Sequence, residues 1–266
     1  MSTEVKTTQD PTRRQQKPSS PSPCVGICVI DEAHDFCSGC GRTPEEITLW
    51  PTSSQAQKSV TWRALPSRLA RLGLHVFRLP ATTEKISKFF ELTLMSQAGT
   101  WEIGIPDRPL RFDVTSAQDI TCQPSCITAR NAHGSIIRLH KHEYTRAFGL
   151  VDENNANQLS AVAVALARGR AEMERITEPA DTHIIASSYP YANFALRRLA
   201  DGTGRLHAET RLADLDLAVT EQEVAALKSF QFDQAAPGAF GIPRAFSVCA
   251  VFHTTDQEWL TRAMMP

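Results

Sequence analysis

The sequence predicts an α+β protein, with a small N-terminal cysteine-ligated metal module followed by a larger mixed α+β domain. Three observations lead there. Four cysteines, Cys24, Cys28, Cys37 and Cys40, crowd into one short stretch near the N-terminus. Beyond about residue 79, alternating apolar patterns come in adjacent pairs separated by turn residues, as hairpins do. Helix-start signals punctuate that region without alternating strictly with strands, which favours α+β over a doubly wound sheet.

Composition sets the outer limits. The chain has 266 residues, is 42% hydrophobic and carries a formal net charge of −1. That is long enough for one large domain or two small ones. Near-neutral charge gives no reason to expect nucleic acid or an anionic membrane as partner. No apolar run approaches the roughly 20 residues needed to span a bilayer. Residues 1–21 are rich in Thr, Ser, Pro, Gln and Lys and read as a disordered tail. Arg13-Arg14 is followed by no hydrophobic stretch, so an export signal is not expected. A reducing cytoplasm is the expected setting, where clustered thiols favour metal over disulfides. Seven cysteines, an odd number, point the same way.

Residues 22–73 form the cysteine module and 79–266 the second domain, with Leu79-Pro80-Ala81 as the junction. The second domain, about 190 residues, is expected to fold without the module. In the module the pairs C-x3-C and C-x2-C deliver two thiols each, so one chain reversal brings four together. Gly39 and Gly41 are read as positions of positive φ that turn backbone N–H groups toward sulfur. Thr43, Pro44 and Glu46 spell a capping box with proline at the first helical position, and Ile47 and Trp50 share a face. A second helix is expected over Ser54–Leu72, with Val60, Leu65, Leu69 and Leu72 inward and an interruption at Pro66.

In the second domain Thr82 or Thr83 caps a helix whose face is Ile86, Phe89, Phe90 and Leu94. Trp101, Ile103 and Ile105, then Leu110, Phe112 and Val114, alternate around a Pro106–Pro109 turn. A second hairpin turns at Asn131–Gly134. Asn157 is read as the cap of a helix carrying Leu159, Val162, Leu166, Met173 and Ile176. Asp201–Gly204 marks another reversal, Thr220 with Glu223 another capping box, and Phe246, Val248, Ala250 and Phe252 a late strand. Cys249 on that strand reads as a buried core thiol.

Tetrahedral sulfur ligation by Cys24, Cys28, Cys37 and Cys40 suits zinc or an iron–sulfur cluster. His34, in the loop between the pairs, reads as a solvated residue before it reads as a substitute ligand. Cys122, Cys126, His140 and His142 repeat a ligand-like pattern, with Glu143 nearby as an acid or base. Nothing in the sequence forces the Cys122–Cys126 loop to meet the histidines, so no second metal site is expected there. Ser187-Ser188-Tyr189 lacks the glycines of a nucleophile elbow. No phosphate-binding loop or dinucleotide fingerprint is present, and no catalytic residue is assigned.

The stretch from Ser22 to Trp50 resembles the bacterial YdhL-like proteins, a domain of unknown function described as predicted iron–sulfur proteins. The shared residues are Ser22, Pro23, Cys24, Cys28, Asp31, Cys37, Gly39, Cys40, Arg42, Thr43, Glu46, Ile47 and Trp50. The run Ala64–Gly73 is similar to the tail that often follows them. The resemblance implies metal or cluster binding in a bacterial cytoplasm, and no reaction. An iron–sulfur protein with a redox, cluster-handling or docking role is the first expectation. The alternatives are a zinc-knuckle module that recognises a protein partner, and an enzyme with its active site in the larger domain.

Overall fold

The computed structural model describes residues 21–105, 108–152, 155–176, 183–226 and 241–265. The tail expected over residues 1–21 falls outside them except for Pro21, as does the tip of the Pro106–Pro109 turn. No helix among the described residues is long and apolar enough to cross a membrane.

The module opens with a two-stranded hairpin, β1 (Ile30–Asp31) and β2 (Phe36–Cys37), then helices α1 (Pro44–Leu49) and α2 (Gln55–Arg71). Both helices start as their sequences dictate. Thr43 and Glu46 close the first capping box, and Ser54 and Gln57 close a second. Helix α2 runs unbroken through Pro66, against expectation. Proline's φ fits a helix and its missing N–H removes one bond; here Pro66 belongs to a buried stripe of Lys58, Thr61, Trp62, Leu65, Pro66 and Leu69 that holds the helix in place. Val60, expected inward, is off that stripe and 60% exposed.

Strand β3 (Val76–Arg78) follows, then α3 (Thr83–Met95), β4 (Thr100–Ile105) and β5 (Arg108–Asp113). A short 3-10 turn takes Val114, expected in the strand. Next come β6 (Ala117–Cys122), β7 (Cys126–Asn131), β8 (Ile136–His140), β9 (Arg146–Asp152), β10 (Asn155–Ala167), α4 (Arg168–Ala171) and β11 (Ile184–Tyr189). The chain closes with β12 (Ala192–Arg198), β13 (Gly204–Glu209), β14 (Ala213–Val219), α5 (Glu221–Ala226), β15 (Phe246–His253) and α6 (Gln257–Met264).

These strands build two antiparallel sheets, one of order β3-β9-β10-β15-β4-β5 and one of order β11-β12-β13-β14-β8-β7-β6. Strand β4 of the first touches β12, β13 and β14 of the second, and the main core lies between them. The mix of helices and paired strands is the α+β class the sequence predicts. An aromatic group anchors the core: Trp101 lies 5.2 Å from Phe252 and 6.1 Å from Phe89, which stacks on Trp259 of α6. The buried Trp101 indole donates to Thr93 Oγ1 at 3.1 Å, so neither polar group is left unpaired.

Strand β10 corrects the helix expected from Asn157. Its residues from Ala161 to Leu166 are all buried. Val162, Val164 and Leu166 enter the main core, while Ala161, Ala163 and Ala165 join a second cluster on the sheet's outer face. A strand covered on both faces reads as a continuous apolar run, in which helical spacings can also be found.

Strand β15 needs a smaller correction. Ala250 faces Val164 and Val248 faces Ala165, so Cys249 is an extra residue in the ladder. This bulge shifts the alternation. Cys249, Ala250 and Phe252 enter the main core, whereas Phe246 and Val248 face the outer cluster. Burial pushes the Cys249 thiol up to about 12, the state of an inert core cysteine.

The module is packed onto the first sheet. Leu69 of α2 belongs to the main core beside Phe77 of β3, and Val25 belongs to the outer cluster beside Phe148 of β9. A residue between the first two cysteines, Val25, and one well beyond the last, Leu69, thus pack into the clusters on opposite faces of the sheet.

Candidate metal centre

Two loops carry the four thiols. The first loop, residues 22–28, is anchored on the outer face of the first sheet by the buried Val25, and Gly26 follows at φ +83°. The second loop leaves β2 and turns on itself: the Cys40 and Gly41 N–H groups donate to the Cys37 carbonyl at 3.2 and 2.7 Å, and the Cys37 N–H donates to Arg42 O at 2.8 Å. Gly41 has the positive φ expected, +75°. Gly39 does not. It is glycine for a different reason: a Cβ there would stand 2.3 Å from the Ile27 carbonyl oxygen. The second loop therefore seats directly on the backbone of the first, one residue from Cys28.

This contact makes the thiols neighbours. Cys37 and Cys40 are buried, Cys24 is half-buried and Cys28 is exposed. The Cys24 and Cys37 sulfurs raise the pKa of Cys28, by repulsion between thiolates and by hydrogen bonds between the side chains. Burial raises that of Cys40, outweighing the Arg42 guanidinium, whose Nε donates to Cys40 Sγ at 3.5 Å. The Gly26 N–H donates to Cys24 Sγ at 3.4 Å, while Cys37 Sγ donates to Ile27 O at 3.3 Å. The donor set suits a thiophilic ion, with sulfurs adjacent across two loops and N–H groups aimed at two of them. As placed, the four are neighbours rather than converged ligands. Among the described residues no three His, Cys, Asp or Glu side chains stand in a group that could hold a metal ion. His34 instead pairs its Nδ1 with Asp31 at 2.8 Å within the β1–β2 turn.

The frame around the second loop is held by Glu46. Its carboxylate accepts from the Thr43 N–H at 3.0 Å and from the Thr61 hydroxyl at 3.1 Å, and it forms a two-pronged pair with Arg68. Arg68 also donates to Gly41 O at 3.3 Å, and with Arg71 it flanks the Phe36 ring. Trp50 and Trp62 meet edge to face at 6.2 Å, with Arg42 against the Trp50 ring.

Burial alone would raise the Glu46 pKa, but Arg68, Thr43 and Thr61 together bring it below its usual value. A depressed folded-state pKa contributes stability that is present above the unfolded value, about 4.3, and lost as pH falls through the folded value. The module is therefore expected to loosen below about pH 4, read by Trp50 and Trp62 fluorescence. Glu46→Gln should cost about 2 kcal/mol at neutral pH, a figure discounted for the side chain's partial exposure. It should also flatten this acid response. An unchanged urea midpoint would show that Glu46 does not organise the module.

The second candidate set is only partly assembled. Cys126 sits directly opposite His140, but Cys122 faces Ile127. His140 Nε2 pairs with Asp214 Oδ2 at 3.0 Å, and His142 Nδ1 accepts from the Tyr144 N–H at 3.2 Å. Glu143 is exposed, with its carbonyl accepting from Thr83. Ser187, Ser188 and Tyr189 lie in β11, and Asp201–Gly204 lies in the β12–β13 turn region. A shallow cavity of about 410 Å³ lies elsewhere, between the start of β10 and α6, lined by Asn155, Gln158, Glu258 and Arg262 among others.

Sequence reasoning missed the arginines. Arg42 was visible in the motif without a role. Arg78 lies 54 residues from Cys24, yet its Nη1 donates to the Cys24 carbonyl at 2.7 Å. Burial and then the nearby Arg146 charge lower the Arg78 pKa to about 10, while Cys24 acts in the opposite sense. No local pattern announces a contact between a strand and a loop 54 residues away.

No curated protein and no solved structure matches this chain. Residues 22–69, the segment that carries the four cysteines, the capping box and the buried stripe of α2, match the model of a protein family of unknown function, DUF1289.

Proposed function

We propose that Cys24, Cys28, Cys37 and Cys40 bind one metal centre, an iron–sulfur cluster in the first reading, in a protein with a redox, cluster-handling or docking role. The seating of Gly39 on Ile27 supports this most directly, because it makes neighbours of sulfurs from both loops. The resemblance of residues 22–50 to the YdhL-like proteins favours iron and a bacterial cytoplasm. Because the module has little core of its own, ligation would supply much of its folding free energy. The compact turn at Cys37–Cys40 favours the second reading, a structural zinc that shapes a surface for a protein partner.

Metal and acid-labile sulfide analysis of anaerobically purified protein decides between them. Iron with sulfide and visible absorption is expected; one colourless zinc per chain would replace the first reading with the second. Cys37→Ser should lose the metal under either reading. Full metal content in that variant would refute the site.

A further inference from the structure

The cysteine loops do not stand alone. Val25 is buried in the outer cluster with Phe148, Ala163 and Val251. Beside it, Arg78 reaches from β3 to the Cys24 carbonyl. Arg78 stands directly opposite Phe148. Arg146 is two residues from Phe148 on β9, so it shares the face and is the diagonal neighbour of Arg78. At the second cysteine pair, the buried Arg42 donates to Cys40 Sγ. Among the described residues none of these three arginines forms an ion pair with a carboxylate. Unpaired guanidinium groups held side by side at partly buried positions are unfavourable unless something anionic sits near them.

We propose that Arg42, Arg78 and Arg146 are the counter-charge of a thiolate–metal centre, so that loading the cysteines clamps residues 22–28 against the outer face of the first sheet. This rests on the metal reading given above. Four thiolates around one divalent ion leave a net negative charge, and a four-thiolate cluster is likewise anionic. The Arg78 fork orients the Cys24 loop through its carbonyl, while Arg146 and Arg42 act through charge. Metal occupancy and docking of the module would then be linked: each favours the other.

Zinc affinity of the full chain, measured by competition with a chromophoric chelator, tests the linkage. Arg78→Met and Arg146→Met should each weaken binding about tenfold, with the gap narrowing at high salt. Arg78→Lys should keep most of the affinity. Hydrogen exchange across residues 24–28 and 76–78 should slow on zinc addition in the parent chain, and less in Arg78→Met. Arg146 bonds the adjacent Thr145 carbonyl rather than the cysteine loop. Its variant therefore reads the charge effect even if Arg78→Met folds poorly. Equal zinc affinity in the parent and both methionine variants would overturn the inference and leave the metal reading standing. A parent chain that takes up neither zinc nor iron would overturn the metal reading and the inference together.

Discussion

Replacing Gly39 by alanine is expected to lower the stability of the cysteine module by about 3 kcal/mol and to expose Cys37 and Cys40 to thiol reagents. The added Cβ would meet the Ile27 carbonyl oxygen at 2.3 Å, a backbone atom that cannot rotate away. One loop must therefore lift off the other, and the contact that makes the sulfurs neighbours is lost. Gly26 supplies the contrast. It needs a left-handed backbone, φ +83°, but a Cβ there would meet nothing within 4 Å. Gly26→Ala should cost only about 1 kcal/mol, from strain alone. Labelling rates and thermal melts of the two variants separate close approach from backbone strain. Equal losses at both positions would mean that the loop contact contributes nothing.

Fragments that omit the module should depend strongly on where they begin. A chain starting at Leu79 lacks β3, and with it Phe77, which is buried in the main core. It also leaves the β9 edge unpaired along Phe148–Leu150. A chain starting at Leu74 keeps both. The longer fragment is expected to be more stable by about 4 kcal/mol and to unfold with a larger denaturant slope. The shorter one should also associate through its bare edge. Matching urea transitions would show that β3 belongs energetically to the module.

Local chemistry was legible and long-range packing was not. The capping boxes at Thr43 and Thr220 and the α3 face of Ile86, Phe89, Phe90 and Leu94 rest on interactions within a few residues, and they form as read. The turns at Asn131–Gly134 and Asp201–Gly204 join β7 to β8 and β12 to β13 for the same reason. Strand β10 reads as a helix because burial on both faces erases alternation. The phase of β15 differs from its apolar alternation because a bulge leaves no mark in an apolar run. Pro66 stays helical because packing along α2 outweighs one missing bond. In the candidate centre the ligand residues could be named from spacing. Gly39's true partner, Ile27, and the reach of Arg78 to Cys24 depend on how separate segments meet.

The position of β15 in the first sheet governs when that sheet can exist. It lies between β10 and β4 and pairs with both, although β4 precedes it by more than a hundred residues. Until residues 246–253 have been synthesised, the sheet is two unconnected pieces, β3-β9-β10 and β4-β5. Residues 22–73, made first, must wait for the last strand before the surface they cover is complete. Such distant pairing slows folding and leaves apolar strands open in the interval. A nascent chain of this protein would lean on chaperones until its final strand slots in.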